Sequence, residues 1–169
     1  MTYLSKAAML CAMLALGACS NALGQDDTNA VDLNGTGNFV AGSPGDPTSP
    51  AHFQQVVGDR VFFAVDQSTL SAEAQTILAA QATWLLTNSD FIATIEGHAD
   101  EQGTREYNIA LGARRATAVR EFLVSRGIPG SRLSIISYGK ERPVEICSDE
   151  ACYAKNRRSV TVLASGLTG

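Results

Sequence analysis

The stretch Gly97-His98-Ala99-Asp100-Glu101-Gln102-Gly103 lies where a strand pattern changes to a helix pattern along the chain. A long segment rich in alanine and arginine follows it from Thr104 onward. Because the stretch comes directly after a strand, it can hold the Asp100 carboxylate at the mouth of a crevice. The following helix can bring the Arg115 guanidinium back beside that carboxylate. An acid and a base at one fixed spacing suit a ligand that carries both an ammonium and a carboxylate.

The length and composition fit one ordinary domain with accessory segments. The chain has 169 residues, of which 45% are apolar and 18% are charged, and these proportions are normal for a globular protein. The formal net charge is −4. A nucleic-acid-binding protein would need a basic stripe, and this composition does not favour one.

The first residues have the pattern of a bacterial lipoprotein signal peptide. Residues 7–16 form a continuous apolar run, which is too short to cross a bilayer as a helix. The run ends in Leu16-Gly17-Ala18-Cys19, and a small residue before a cysteine resembles a lipobox. We therefore predict a signal peptide at residues 1–18 and a lipidated Cys19; the alternative is an ordinary secretory signal with a chance cysteine. Ser20 follows, which by the habit of such lipoproteins implies sorting to the outer membrane.

Residues 19–52 have the composition of a flexible tether. Asn, Gly, Asp, Ser, Thr and Pro dominate, and the few apolar residues follow no pattern, so the segment cannot bury enough surface to order itself. A chain of this length averages about 30 Å end to end and reaches about 100 Å when fully extended. The folded domain is predicted for residues 53–169.

Two cysteines remain after the predicted processing removes Cys11 and lipidates Cys19. Cys147 and Cys152 lie five residues apart, and in an oxidising compartment they are a candidate disulfide. The small loop would contribute about 2 kcal/mol through chain entropy. Free thiols are the second interpretation. A zinc site is the third, because two cysteines supply only half of the usual ligands.

Hydrophobic periodicity predicts four strands and two long helices in the order β-α-β-α-β-β. The strands cover residues 61–65, 91–96, 133–137 and 159–163, the helices residues 71–87 and 104–126, and residues 151–156 make a helical turn. Trp84 borders the apolar face of the first helix and is predicted to pack in the core. The order predicts an α/β (α+β sandwich) domain with helices packed on a mixed four-stranded sheet.

Two aspartates, Asp66 and Asp100, come just after predicted strands, where ligands collect in open α/β sheets. Helical geometry separates the two arginines of the second helix: Arg115 falls roughly 70° from the centre of the apolar stripe, and Arg114 lies nearly opposite it. Arg115 is therefore predicted to rim the crevice, and Arg114 to face solvent. Structural roles are the alternatives, with Asp100 as a helix cap, Asp66 as a turn residue and Arg115 in a surface ion pair.

Three further polar residues allow a functional and a structural interpretation. His98 and Asp100 together resemble an H-x-D metal pair, but no third ligand is close in sequence, and we favour a histidine that hydrogen-bonds the loop. Arg157 and Arg158 begin the last strand, and we favour a solvated edge or a partner contact for this basic pair over a binding site.

The motifs in order resemble the OmpA C-terminal-like peptidoglycan-binding domain family. The resemblance rests on Gly97-His98-Ala99-Asp100, Gly103, Tyr107-Asn108, Leu111 and Arg115-Ala116, followed by Ser-Tyr-Gly-Lys-Glu-Arg-Pro from residue 137 and Lys-Asn-Arg-Arg-Ser-Val from residue 155. It covers about residues 58–164. The lipobox and the tether fit the lipid-anchored members of the same family. The loop that carries Cys147 and Cys152 departs from the pattern of other members.

The resemblance implies non-covalent binding of the peptide stem of peptidoglycan, centred on meso-diaminopimelate. Asp100 would pair with the ligand ammonium, and Arg115 would fork onto the ligand carboxylate. The strand-end contacts of the family, made partly through the backbone, fall on Val65 and Asp66. The remaining positions carried over from the family pattern are Gly103, Thr104, Asn108 and Leu111. No catalytic residue, cofactor or metal is implied.

The resemblance also implies a location and protein partners. The chain would be anchored in the outer membrane on its periplasmic face, and would join the Tol system, chiefly the β-propeller protein TolB, in envelope integrity and constriction at division. Wall binding and TolB binding would use overlapping surfaces.

The rival hypothesis is a wall-cleaving enzyme with paired carboxylates, although no nucleophile beside a base is evident. A third hypothesis is a purely structural spacer that binds no small ligand.

Overall fold

A computed structural model describes residues 39–166 of the chain. The predicted signal peptide, the lipidated Cys19 and the first part of the predicted tether lie outside the described residues. Among the helices of residues 39–166, none combines the length and the apolar character that crossing a membrane requires.

The described residues form four strands and four α-helices. The element bounds are α1 Pro50–His52, which continues as a π-helix over Phe53–Gly58, β1 Arg60–Phe62, α2 Ala72–Thr87, β2 Phe91–His98, α3 Arg105–Ser125, a 3₁₀ turn at Gly130–Arg132, β3 Leu133–Gly139, α4 Glu150–Asn156 and β4 Arg158–Ser165. The sheet order is β1-β4-β2-β3. Strands β2 and β3 are parallel, and β4 is antiparallel to both β1 and β2. The predicted α/β fold with a mixed four-stranded sheet is confirmed.

Local sequence signals set where the two long helices begin. The hydroxyl of Ser71 accepts from the backbone N–H of Ala74 at 3.1 Å, and the hydroxyl of Thr104 accepts from that of Tyr107 at 3.2 Å. Each hydroxyl satisfies one of the backbone donors that the first turn of a helix leaves unpaired. Thr104, and not Asp100, is therefore the N-cap of α3.

The core lies between the helices and one face of the sheet. Trp84 is 6% exposed and packs between Phe53 and Phe91, with ring centroids 5.0 and 5.2 Å away, so its predicted core role is confirmed. Helix α3 approaches β2 through two glycines: a Cβ at Gly97 would lie 1.8 Å from the carbonyl oxygen of Gly112. This close approach sets how near α3 lies to the end of β2, where the site begins.

Strand β1 ends earlier than the predicted strand over residues 61–65. After Phe62 the chain leaves the sheet, with the N–H of Phe63 bonded to the carbonyl of Arg157 at 2.9 Å and a turn from Gln67 to Ala64 at 3.2 Å. Val65 and Asp66 therefore lie on a turn beyond the strand. This turn makes one wall of the pocket described below.

The segment before residue 53 contacts the domain. The indole N–H of Trp84 donates to the carbonyl of Pro47 at 2.7 Å, and Ser49, which is 3% exposed, caps α1 by accepting from the N–H of His52. The sequence-based tether extended to residue 52. In the structure its last residues are held by these contacts, so the ordered chain begins before residue 53.

Candidate functional site

A pocket of about 230 Å³ opens between the turn after β1 and the loop that joins β2 to α3. Its lining residues are Val65, Asp66, Asp100, Gln102, Gly103, Tyr107, Asn108 and Leu111. Six of the eight ligand-binding residues proposed from the sequence are in this set. The other two, Thr104 and Arg115, are not: Thr104 caps α3, and Arg115 lies deeper.

Asp66 stands on the outer side of the pocket. Its φ of 56° places it in the left-handed region, which aspartate tolerates better than most residues. The side chain is exposed, and its Oδ1 accepts a hydrogen bond from the hydroxyl of Tyr107. Tyr107 comes from the first turn of α3, so this bond joins the two walls of the pocket.

Asp100 is the buried carboxylate of the pocket, at 7% exposure. Its Oδ1 accepts from the N–H of Gln102 at 3.3 Å, and its Oδ2 accepts from Nη1 of Arg157 at 3.1 Å. Arg157 is 4% exposed and also donates to Glu150 and to the carbonyl of Phe63. Of the two interpretations preferred for the basic pair, the solvated edge is wrong, because Arg157 is buried against Asp100 and Arg158 is only 5% exposed; the partner contact stays a prediction.

Arg115 lies beneath the pocket and does not rim it, contrary to the prediction from helical geometry. Its side chain is fully buried, and its guanidinium donates to the carbonyls of Gln67 at 2.7 Å, His98 at 2.8 Å and Ala64 at 3.2 Å. Burial lowers the pKa of Arg115 to about 10, and the nearby Asp100 opposes that shift. The residue therefore stays positively charged at neutral pH and ties the turn after β1 to the end of β2.

The buried charge of Arg115 has no ion-pair partner in the described part of the chain. No carboxylate oxygen there lies within 4.0 Å of its guanidinium nitrogens. Three carbonyl dipoles and the face of the Phe63 ring, 5.1 Å from the guanidinium carbon, lie against it, and Asp100 and Asp66 act on it at longer range. A cation in this state attracts an anionic group that enters the pocket above it.

Asn108 holds the loop that carries Asp100. Its Nδ2 donates to the carbonyl of Asp100 at 3.3 Å and to that of Gln102 at 2.8 Å. Gly103 completes the loop at φ 92°, a conformation that glycine adopts without strain. The Oδ1 of Asn108 is buried and accepts no hydrogen bond from residues 39–166. Asn108 thus contributes to the site by holding the Asp100 loop from below.

His98 is buried without the loop hydrogen bond that we predicted. Neither ring nitrogen has a hydrogen-bond partner in the described chain, and Nε2 lies 3.5 Å from Oε2 of Glu96. Burial, together with the charges of Arg158 and Arg142, lowers the pKa of His98 from 6.5 to about 4. The ring is therefore neutral at physiological pH. It packs beside Tyr138, with the ring centroids 5.6 Å apart.

A short disulfide-closed loop supports the outer edge of the site. Cys147 and Cys152 form a disulfide with a Cα–Cα distance of 6.0 Å. Ser148 and Tyr153 donate to Oε1 of Glu101 at 3.2 and 2.8 Å, which ties the loop to the neighbour of Asp100. Asp149 and the two cysteines have their ligand-type atoms within 4.8 Å of one another, which is the spacing of a metal site. Because both sulfur atoms are in the disulfide, they are not available as thiolate ligands.

Three contributors to the site were missed from the sequence. Tyr107 and Gln102 stand inside the quoted motifs, but nothing in their spacing shows that they line the pocket. Arg157 follows Asp100 by 57 residues, and only the pairing of β4 with its neighbours brings it near. The signal that was available is the position of Arg157 directly before β4, because a residue there lies at the end of the sheet where β2 also ends.

Comparisons with known proteins agree with the fold and give the family. Residues 62–157 match the model of the OmpA family. The peptidoglycan-associated lipoprotein of Mesorhizobium japonicum is 50% identical over 92% of this chain and 89% of its own. That of Agrobacterium fabrum is 49% identical over 89% of this chain and 82% of its own.

Solved structures show the same architecture. The peptidoglycan-associated lipoprotein from Burkholderia pseudomallei superposes with a TM-score of 0.64 at 36% identity, over 72% of this chain and all of that one. The C-terminal domain of Helicobacter pylori MotB superposes with a TM-score of 0.60 at 19% identity, over 64% of this chain and 86% of that one. The second likeness is one of fold alone.

Proposed function

The chain belongs to the OmpA family and, within it, to the peptidoglycan-associated lipoproteins, and from this premise we propose that it binds the peptide stem of peptidoglycan. The family consists of binding proteins and not of enzymes, so the wall-cleaving hypothesis is set aside. The stem residue that fits the pocket is meso-diaminopimelate, whose free end carries an ammonium and a carboxylate on one carbon.

One observation carries the proposal: acceptors for a cation line the pocket directly above a buried cation that has no carboxylate partner. The carboxylates of Asp66 and Asp100 can accept from an ammonium. Arg115 beneath them attracts a carboxylate. In this proposal Arg115 attracts the ligand carboxylate electrostatically, without a hydrogen bond, because its N–H groups already donate to backbone carbonyls. A direct bidentate hydrogen bond to the ligand would require Arg115 to give up some of those bonds. A ligand with both charges interacts favourably with the pocket carboxylates and with Arg115, and a singly charged ligand interacts favourably with one of them.

Calorimetry with purified stem peptides tests the proposal. The full chain is titrated with a stem that contains meso-diaminopimelate and with a stem that contains lysine, which keeps an ammonium but lacks the carboxylate. We expect tighter binding of the diaminopimelate stem by about tenfold or more, the effect of roughly 1.4 kcal/mol. Equal affinities, or a preference for the lysine stem, would contradict the proposed recognition.

A sedimentation experiment with intact sacculi tests the site. Asp100→Asn removes the buried charge with little change in volume, and we expect it to reduce co-sedimentation. Asp90→Asn is the matched control, because Asp90 is an exposed aspartate outside the pocket lining. If both variants sediment with sacculi as the unchanged protein does, Asp100 is not part of the site.

The proposal extends to the setting of the domain. Lipid at Cys19 would hold the chain in the outer membrane on its periplasmic face, the predicted tether that follows Cys19 would span toward the wall, and the pocket would bind the stem. Association with TolB and other Tol-Pal components, in envelope integrity and constriction at division, is part of the same proposal. Peptidoglycan fragments should compete with TolB, and a pull-down with and without stem peptide measures that competition.

A further inference from the structure

A second carboxylate shares the guanidinium that holds Asp100. Oδ2 of Asp100 accepts from Nη1 of Arg157 at 3.1 Å, and the same Nη1 lies 3.4 Å from Oε2 of Glu150. Nη2 of Arg157 donates to Oε1 of Glu150, and its Nε donates to the carbonyl of Phe63 at 3.2 Å. Asp100 lines the pocket and Glu150 does not. Arg157 therefore links a carboxylate of the pocket to a carboxylate outside its lining.

The charges of these three linked groups decide how strongly the pocket attracts a cation. If Arg157 were paired with Asp100 alone, the two charges would cancel, and the pair would attract an ammonium only weakly. Burial acts against the charge of Arg157, but the bonds to Glu150 and Asp100 outweigh it and raise the pKa of Arg157. The guanidinium therefore stays charged, and the second carboxylate leaves one net negative charge beside the pocket.

The disulfide-closed loop holds Glu150 against Arg157, although the Glu150 side chain is 67% exposed. Asp149, directly before it, caps α4 by accepting from the N–H of Cys152 at 3.0 Å, and Cys152 is bonded to Cys147. Exposed ion pairs contribute little when long side chains must be ordered to form them. Here the backbone of Glu150 is fixed by the cap and the disulfide, and its partner Arg157 is buried.

We infer that Glu150 is a positioning residue for the proposed site: it holds Arg157 and offsets its charge, so that Asp100 can attract the ammonium of the ligand. The inference rests on the proposed stem-binding function and adds a residue that lies outside the pocket lining. Glu150 acts through Arg157 and makes no contact with the ligand. Its effect should therefore fall on the ammonium and not on the rest of the stem.

Calorimetry that combines one protein change with one ligand change tests this role. Glu150→Gln keeps the size of the side chain and an oxygen for Arg157, and it removes the charge. The ligands are the meso-diaminopimelate stem and the same stem with hydrogen in place of the free amino group. We expect Glu150→Gln to weaken binding of the first stem by roughly threefold to tenfold. The affinity for the second stem should fall by less than about twofold, because that stem has no ammonium.

Two further variants separate the charge from its alternatives. Glu145→Gln makes the same change nearby, but Glu145 accepts from Lys155 at 3.0 Å and neither residue lines the pocket. It should leave both affinities unchanged. Glu150→Asp keeps the charge and shortens the side chain, and it should bind the first stem more tightly than Glu150→Gln does. A role in bracing the loop alone would favour Glu150→Gln, which is the closer match in shape.

Three results would overturn the inference. The first is that Glu150→Gln leaves binding of the first stem unchanged or weakens both stems equally. The second is that Glu150→Gln binds the first stem at least as tightly as Glu150→Asp. The third is that Glu145→Gln has the same effect, which would make the net charge of the protein the cause. If the unchanged protein binds neither stem, the proposed function itself fails, so the two failures are distinguishable.

Discussion

The floor and the rim of the pocket differ in burial and in what their side chains bind. The floor consists of Asp100, Asn108, Arg115 and Arg157, each at most 7% exposed. Its groups bind one another or the backbone, and Arg157 also binds Glu150. The rim includes Asp66 and Tyr107, which are exposed and whose side chains bind each other across the opening. Buried polar groups are costly to leave unpaired, and exposed ones are not. The floor should therefore contribute to folding stability as well as to the proposed binding, and the rim should act on ligand binding with little effect on folding.

The largest effect on folding is expected at Arg115. Arg115→Met removes three hydrogen bonds: the carbonyls of Gln67 and His98 lose this donor, and that of Ala64 keeps only the N–H of Gln67. We expect the free energy of unfolding to fall by about 3–5 kcal/mol, measured by urea denaturation. Arg114→Met is the control, because it makes the same change at the exposed neighbour and should cost less than about 0.5 kcal/mol. Similar losses for both would show that the burial of Arg115 does not decide the cost, and the floor would then have no special part in folding.

This arginine pair also shows how far the sequence could lead. Helical geometry separated Arg115 from Arg114 correctly, because the direction of a side chain is a local property. The depth of Arg115 was missed, because the carbonyls that receive it lie on segments 17 to 51 residues away. Arg157 was misjudged for the same reason. Periodicity, caps and the element order are readable locally, whereas the partner of a buried charge depends on how the strands assemble.

His98 provides the second test, through pH. The carbonyl of this residue accepts from Arg115 of the floor, and its ring is buried among Glu96, Tyr138, Arg142 and Arg158. The pKa falls from 6.5 to about 4 on folding. The neutral ring therefore stabilises the fold above pH 6.5, and that contribution is lost as the pH drops toward 4, because the unfolded chain takes up a proton that the folded one resists.

The change in the pKa of His98 limits this pH-dependent loss in the free energy of unfolding to about 3 kcal/mol. Thermal unfolding of the unchanged protein and of His98→Gln between pH 7 and pH 4 measures it. The difference in stability between the two proteins should narrow as the pH falls, because only the unchanged protein has His98 and loses its contribution. Carboxylates titrate in both proteins, so their effect cancels in the difference. A constant difference across this range would mean that the buried ring takes up its proton as freely as an exposed one.

The disulfide is expected to have an intermediate effect. Cys147→Ser with Cys152→Ser opens the loop whose Glu150 holds Arg157 of the floor and whose Tyr153 holds Glu101 beside it. We expect a loss of about 2 kcal/mol in the free energy of unfolding, from the freed entropy of the unfolded chain. A reductant should produce the same loss in a protein that keeps both cysteines and have no effect on the double variant. Stability that is equal with and without reductant in both proteins would show that the loop is held by its hydrogen bonds alone.

The smallest effect on folding is expected at Asp66, and it sharpens the comparison most. Asp66→Asn keeps the size of the side chain, tolerates the left-handed backbone at φ 56°, and still offers an oxygen to Tyr107. The free energy of unfolding should change by less than about 0.5 kcal/mol, as for other exposed positions. The affinity for the diaminopimelate stem should nevertheless fall about tenfold, because an ammonium loses a charged partner. A variant that folds as well as the original but binds poorly is what a rim residue should give; one that loses stability as Arg115→Met does would place Asp66 among the residues that build the floor.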